Sequence, residues 1–282
     1  MNGNGNENDA ETLDRLDRLR QRVRALPGAI VAFSGGADSS LLLRVCHDEL
    51  ADRVLAVTAA SESLSQHDRE WVVRMAAEIG ARHRFIDTRE IEREGYAANS
   101  PERCFFCKDE LFASLARIAK EEGQGAILAG YVTDDASDFR PGMRAAREHG
   151  VVAPLVDAGI GKPEVRKISK LLGLSTWDRP QAPCLSSRIA YGVRVTPERL
   201  AQVEAAEALL RARGFREFRV RHHGSVARIE VPVDEIAAFV DPAVREAIVE
   251  GLRGLGFAFV ALDLSGFRSG SLNAVLGPHE RV

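Results

Sequence analysis

The chain has 282 residues, 45% hydrophobic and 28% charged. That is a globular mixture, long enough for one large domain or two unequal ones, and it excludes whole-chain disorder. Lys and Arg number 38 against 41 Asp and Glu, a formal net charge of -3, which argues against a broad nucleic-acid-binding surface because that needs a basic surplus.

Residues 1–12 read as a polar tail. The start MNGNGNENDAETLDRLDR lacks the basic and apolar regions of a secretory signal. No apolar run approaches the roughly 20 residues of a membrane span. The expected setting is cytoplasmic and reducing, with no membrane partner. An apolar run at 29–33 ends at a Gly pair and predicts the first strand. Residues 39–50 follow with Leu42, Cys46 and Leu50 at helical spacing. A strand is predicted at 54–58. A helix at 66–79 carries Trp71, Val72, Met75 and Ile79 on one face and stops at Gly80. A strand at 84–87, a helix at 109–119, a strand at 126–129, a helix near 143–149, an apolar run at 151–155 and a helix at 163–172 complete this part. Strands alternating with helices imply an α/β domain over 13–190, an open parallel sheet with helices on both faces.

Residues 177–195 are rich in Pro, Ser and Arg without periodicity and read as a linker. Thr196 and Pro197 then form an N-cap and N1 pair for a helix ending near Gly214. A hairpin at 216–222 and 225–231, a helix at 233–252 broken near Asp241 and Pro242, and a strand at 257–264 follow. This order predicts a smaller α+β domain over 191–282, for substrate binding or oligomerisation.

The sharpest motif is Ser34-Gly35-Gly36-Ala37-Asp38-Ser39-Ser40, between the first strand and the first helix after it. An open parallel sheet places phosphate there, at a strand's carboxyl end and a helix N-terminus. Gly35 and Gly36 bring backbone N–H groups close to an anion, and Ser34, Ser39 and Ser40 add hydroxyls. Asp38 has no use for phosphate directly, and a bridging Mg²⁺ would explain it. The chain lacks both G-x-x-x-x-G-K-[ST] and G-x-G-x-x-G.

Four cysteines are present: Cys46, Cys104, Cys107 and Cys184. Cys46 falls on an apolar helix face and reads as core. Cys104 and Cys107 form a lone C-x-x-C, compatible with zinc, iron–sulfur or redox use, or with packing beside Phe105 and Phe106. Cys184 sits among Pro, Ser and Arg, with no apolar pattern to explain it. Tetrahedral zinc wants four ligands, whereas three thiols suit a [4Fe-4S] cluster with one open iron.

The SGGADSS stretch resembles the PP-loop of ATP pyrophosphatases, which adenylate a substrate and release pyrophosphate. PCLSSRIAYG around Cys184, Asp134-Asp135 with Asp138-Phe139-Arg140-Pro141-Gly142, Lys162-Pro163-Glu164-Val165-Arg166 and Leu262-Asp263-Leu264-Ser265-Gly266-Phe267-Arg268-Ser269-Gly270-Ser271-Leu272-Asn273 are together similar to the LarE family. The similarity extends over nearly the whole chain after residue 12.

The resemblance implies an ATP-dependent sulfur transferase. Its substrate would be pyridinium-3,5-biscarboxylic acid mononucleotide, whose carboxylates become thiocarboxylates for the nickel-pincer nucleotide cofactor of lactate racemase. It implies ATP and Mg²⁺ at Ser34, Gly35, Gly36, Asp38, Ser39 and Ser40, with Thr58 lining the adenosine site. It also implies a [4Fe-4S] cluster on Cys104, Cys107 and Cys184 that carries the sulfide. Sacrifice of the Cys184 sulfur is the alternative, and tRNA thiolation by a PP-loop enzyme is another. Arg188, Arg140 and Arg166 are candidates to grip phosphate or carboxylate, or else structural arginines. Arg219, Arg221, His222 and Arg228, with Glu207 and Glu230, would form a second anion site for the mononucleotide phosphate, or a solvated charged face. Expected partners are the small-molecule substrate, a sulfide or sulfur donor, and further copies of the chain in a trimer-based or hexameric homo-oligomer.

Overall fold

The computed structural model of the chain describes residues 4–137, 141–180, 182–268 and 270–275. In chain order they form α1 (Asn4–Arg24), β1 (Ala29–Ala32), α2 (Ala37–Leu50), β2 (Val54–Ala60), α3 (Gln66–Ile79), β3 (Arg82–Asp87), the one-turn α4 (Glu94–Ala97) and α5 (Arg103–Glu121). Then come β4 (Ala126–Ala129), α6 (Pro141–Glu148), the one-turn α7 (Pro154–Asp157), α8 (Lys162–Leu171), α9 (Pro197–Arg211), β5 (Arg219–His223), β6 (Val226–Glu230), α10 (Pro242–Gly254) and β7 (Phe259–Leu262). Two units result. The first holds Met1–Ser61, Gln66–Thr88 and Phe105–Ala182, and the second Glu62–Ser65, Arg89–Cys104 and Pro183–Val282.

The first unit is α/β. Its sheet runs β3-β2-β1-β4, with every pairing parallel. Alternate residues of β1 and β2 serve opposite faces. Ala29, Val31, Val54 and Ala56 join a core with residues of α1, α2, α3 and α8. Ile30, Leu55 and Val57 join a second core with α5 and α6. Each fully buried aliphatic side chain of these cores contributes about 1.5–3 kcal/mol. The chain leaves β1 outward through β2 and β3, then returns to β4 on the other side of β1. That reversal is the switch point at which open parallel sheets bind ligands.

Helix α1 begins at Asn4, inside the stretch expected to be a polar tail. Leu16, Leu19 and Val23 share one of its faces and are buried against the first core. The run at 151–155 yields no strand of its own. Val152 makes a single bridge to Leu128, and Pro154 opens α7. Helix α5 starts six residues earlier than the pattern indicated, at Arg103 rather than residue 109.

The second unit has a three-stranded sheet, β5-β6-β7, antiparallel then parallel. Gly224 turns the hairpin at φ +66. Thr196 caps α9, its hydroxyl accepting from the Arg199 N–H at 3.3 Å. Asp241 caps α10, accepting from the Val244 N–H at 3.1 Å, and residues 233–240 before it form a 3₁₀ helix. The texture of the sequence changes near residue 190, whereas the packing changes at Pro183 and draws in Arg89–Cys104 from far upstream. Asn99 explains the capture. Its side-chain amide donates to the Ile189, Ala190 and Val193 carbonyls at 3.2, 2.8 and 2.9 Å. Among the described residues, no helix is long and apolar enough to cross a membrane.

Candidate functional site

In the first unit, β1 ends where the chain enters the serine and glycine loop. Gly35 adopts φ +67, and a Cβ there would meet Val72 and Trp71 at 3.0 and 3.1 Å. Gly36 is extended and caps α2. The serines fold the loop onto itself. The Ser39 hydroxyl donates to the Gly36 carbonyl at 3.2 Å and accepts from the Ser34 N–H at 3.3 Å. The Ser34 hydroxyl lies 3.1 Å from it and accepts a long bond from the Gly36 N–H at 3.4 Å. Ser40 Oγ is buried and has no hydrogen-bond partner among the described residues. Asp38 stands in the first turn of α2, where the helix dipole favours a carboxylate.

Two neighbours complete the loop. Thr58, buried near the end of β2, donates to the Phe33 carbonyl at 2.7 Å and lies 2.9 Å from His83 Nε2. Since the hydroxyl proton goes to Phe33, His83 is the donor to Thr58. Burial lowers the His83 pKa, which suits a neutral ring. Thr58, expected at the adenosine, thus ties the strand end to β3. Gly130, directly after β4, was not singled out by any motif. A Cβ there would stand 2.8 Å from the Ser39 backbone nitrogen. The only sequence signal is a glycine closing the fourth strand.

In the second unit, Cys184 precedes a short 3₁₀ turn, Leu185–Arg188, and is exposed. Its Sγ lies 3.0 Å from the Ser186 hydroxyl. Three arginines grip the carbonyls of this turn. Arg188 donates to the Pro183 carbonyl, and to that of Cys184 at 3.2 Å. Arg103 donates to Ser186 at 2.8 Å, and Arg221 to Ser187 at 3.0 Å. Arg188 also forms a buried fork with Glu207, at 2.9 and 3.1 Å. Its donors thus engage groups within the protein, on the turn that carries Cys184 and on Glu207. Arg221 donates twice to a single oxygen of Glu230, Oε2, from Nε at 3.0 Å and Nη2 at 2.7 Å. Glu230 is fully buried and also receives Arg228 at 3.0 Å.

Arg219 differs from these. It lies over Phe267 and donates to the Phe218 carbonyl at 2.6 Å. Burial, then the neighbouring Arg188 and Arg221, lower its pKa to about 10, against an opposing pull from Glu207 and Glu217. Arg166 is exposed on α8. Arg140, with Asp138 and Phe139, lies outside the described residues, as does Ser269.

Cys104 and Cys107 lie one turn apart at the start of α5. Cys104 is exposed and Cys107 partly so. Arg103 is buried, and burial opposes its charge, yet Cys104 and Cys184 in turn hold its pKa above the ordinary value. Two of the three expected ligands thus share one cation. Among the described residues, no group of three or more His, Cys, Asp and Glu side chains is gathered closely enough to hold a metal ion. The three thiols fit an iron–sulfur cluster in the chemistry of their donors. Cys46 is wholly buried, and desolvation pushes its thiol pKa far up, as a core residue requires.

No protein-family model matches the chain. It is 42% identical over 262 residues to an uncharacterized protein of Synechocystis sp., spanning 93% of this chain and 98% of that protein. It is 36% identical over 255 residues to the pyridinium-3,5-bisthiocarboxylic acid mononucleotide synthase of Lactiplantibacillus plantarum, spanning 90% and 92%. A more distant likeness, 25% over 209 residues and 69% and 67% of the two chains, is to one subunit of the glutamine-hydrolyzing GMP synthase of Archaeoglobus fulgidus.

Proposed function

The chain belongs to the LarE family of pyridinium-3,5-bisthiocarboxylic acid mononucleotide synthases, enzymes with PP-loop relatives, and we propose that it carries out ATP-dependent sulfur transfer to that mononucleotide's carboxylates. The observation that carries the reading is the Ser34–Ser40 loop, folded at the switch point of a parallel sheet with Gly35 at φ +67. Backbone N–H groups and hydroxyls from Ser34 to Ser40 bind the ATP phosphates, and Asp38 holds Mg²⁺.

A substrate carboxylate oxygen attacks the α phosphorus, and pyrophosphate leaves. The protein's contribution is position and neutralised charge. Arg219, beside the Arg188–Glu207 and Arg221–Glu230 pairs that fix its surroundings, receives the mononucleotide phosphate through its planar donor face. A sulfur nucleophile then attacks the acyl carbonyl, the C–O bond to AMP breaks, and a thiocarboxylate remains. The second carboxylate follows the same course.

For the sulfur source we propose a [4Fe-4S] cluster on Cys104, Cys107 and Cys184. Ligands exposed at a helix start and on a turn are of the sort that a metal draws together as it binds. When bound, the cluster supplies sulfide to the activated carbonyl. The alternative is favoured by one contact, the Ser186 hydroxyl 3.0 Å from Cys184 Sγ. There the Cys184 thiol itself attacks, and its Cβ–S bond then breaks as the Cα proton is lost, leaving dehydroalanine.

One anaerobic experiment tests both levels. Protein purified without oxygen is incubated with ATP, Mg²⁺, sulfide and the dicarboxylate mononucleotide, and iron, pyrophosphate, AMP and product mass are measured. The reading expects pyrophosphate and thiocarboxylate together, with about four irons per chain. Product without iron, with each chain lighter by one H₂S, selects sacrifice. Thiolation of unmodified tRNA in place of the mononucleotide overturns the substrate assignment.

A further inference from the structure

The Gly35 carbonyl, at the centre of the phosphate loop, accepts two hydrogen bonds from the same unit. Trp71 Nε1 donates to it at 2.9 Å and Arg179 Nη1 at 3.0 Å. Arg179 is itself fixed on two other sides. Its Nη2 donates to Asp68 Oδ1 at 2.8 Å. Its guanidinium carbon lies 4.1 Å from the centre of the Trp71 ring, a stacked cation on an indole. Only 12% of its side chain is exposed. No motif pointed to this residue, which sits in the stretch read from sequence as a linker.

The geometry has a definite effect on the loop. A trans peptide is planar, so the Gly35 C=O and the Gly36 N–H point in opposite directions. Two donors that hold the carbonyl on one side therefore hold the N–H toward the other. Among the described residues that N–H has only a long bond to Ser34 Oγ, at 3.4 Å, and so is available for a better acceptor. A positive φ at Gly35 makes this peptide one that would otherwise rotate easily.

We infer that Arg179 is a positioning residue for nucleotide binding. Stacked on Trp71 and anchored by Asp68, it fixes the Gly35–Gly36 peptide with its N–H presented to the ATP phosphates. With its donors on the Gly35 carbonyl and Asp68, Arg179 acts on the nucleotide through this peptide. The inference rests on the reading of the loop as an ATP site, and it adds a determinant of ATP affinity outside the motif.

Trp71 provides the readout. The chain has two tryptophans, so a Trp177→Phe background leaves Trp71 as the single indole. Titration with Mg-ATP is followed by its emission, and the KM for ATP by pyrophosphate release with the dicarboxylate mononucleotide. Arg179→Met is expected to raise both Kd and KM for ATP about tenfold, with kcat at saturating ATP within about threefold of the parent. Arg179→Lys keeps a cation that reaches Asp68 and the carbonyl, and is expected to restore both values to within about threefold.

Asp68→Asn, which loosens Arg179 without removing it, should shift ATP affinity in the same direction by about threefold. Arg74→Met is the control. Arg74 also lies over Trp71, at 5.4 Å, and its loss should leave the KM for ATP within about twofold. A residue that only supported folding would lower the thermal midpoint and the active fraction, hence kcat, without moving the KM for ATP.

An unchanged KM in both Arg179→Met and Asp68→Asn overturns the inference, as does an equal shift in Arg74→Met. A parent chain whose ATP affinity depends on Arg179 but which makes no thiocarboxylate supports the inference and sinks the sulfur-transfer reading. A chain that does not bind ATP at all overturns both.

Discussion

Cys184 is presented by its backbone. Arg103, Arg188 and Arg221 hold the carbonyls on either side of it, while the thiol lies against the Ser186 hydroxyl. The phosphate loop makes no use of this sulfur in the proposed chemistry. Cys184→Ser is therefore expected to abolish thiocarboxylate formation while pyrophosphate release on mixing ATP with the dicarboxylate continues; mass spectrometry and a pyrophosphate assay read the two separately. Loss of both activities together would place Cys184 in adenylation instead.

Arg188 calls for the opposite expectation. Arg188→Met strands Glu207, which is 5% exposed, as a buried charge without its partner. That costs roughly 3–5 kcal/mol, visible as a lower denaturant midpoint. A midpoint within error of the parent would mean that the Arg188–Glu207 fork contributes no stability.

Among the elements, the contact between β4 and α2 governs the phosphate loop from behind. Gly130→Ala puts a methyl group against backbone atoms of Asp38 and Ser39, with distances of 2.8–3.0 Å before relaxation, and backbone has little freedom to yield. The expected result is a loss of about 1–3 kcal/mol in stability together with weaker ATP binding, measured by thermal melting and calorimetric titration. Full ATP affinity in this variant would show that the helix start tolerates displacement.

The loop itself was legible in the sequence because a glycine pair at the end of an apolar run carries its own conformational message. Gly130 was not, because its constraint comes from a helix about ninety residues upstream. Helix α1 escaped for a different reason. Its Arg, Asp and Asn residues dominate the composition, and only Leu16, Leu19 and Val23 mark its buried apolar face. Asn99 and Arg103 escaped because their partners, Ile189, Ala190, Val193 and Ser186, lie 83 to 94 positions away, a distance over which periodicity says nothing. The arginines of the hairpin were visible as a group, but which were paired with carboxylates depended on partners brought together only by folding.

For the whole molecule, three histidines give stability a direction with pH. Burial lowers the pKa of His83 in the first unit and of His222 and His223 in the second, each from 6.5. Arg199 adds to the effect at His222, and Arg228 and Arg221 at His223. The folded chain therefore binds fewer protons than the unfolded chain over this range. Stability is fully present above about pH 6.5 and is lost as pH falls through the depressed native values. Melting curves between about pH 7.5 and 5 should show the midpoint falling on the acid side, and His83→Gln should reduce that dependence. A flat profile would show that these rings protonate in the folded state at no cost.

The turn that carries Cys184 has one more consequence. Because its grip falls on carbonyl oxygens, the scaffold is largely indifferent to what occupies that position: a thiol, a hydroxyl or the bare alkene left after sulfur departs all sit on the same pinned backbone. If sulfur is donated from that side chain, an exhausted copy would keep its shape, still bind nucleotide and still occupy substrate. Used and unused molecules would then compete on equal terms, and the ratio between them, rather than the total amount of protein, would set the rate at which product accumulates.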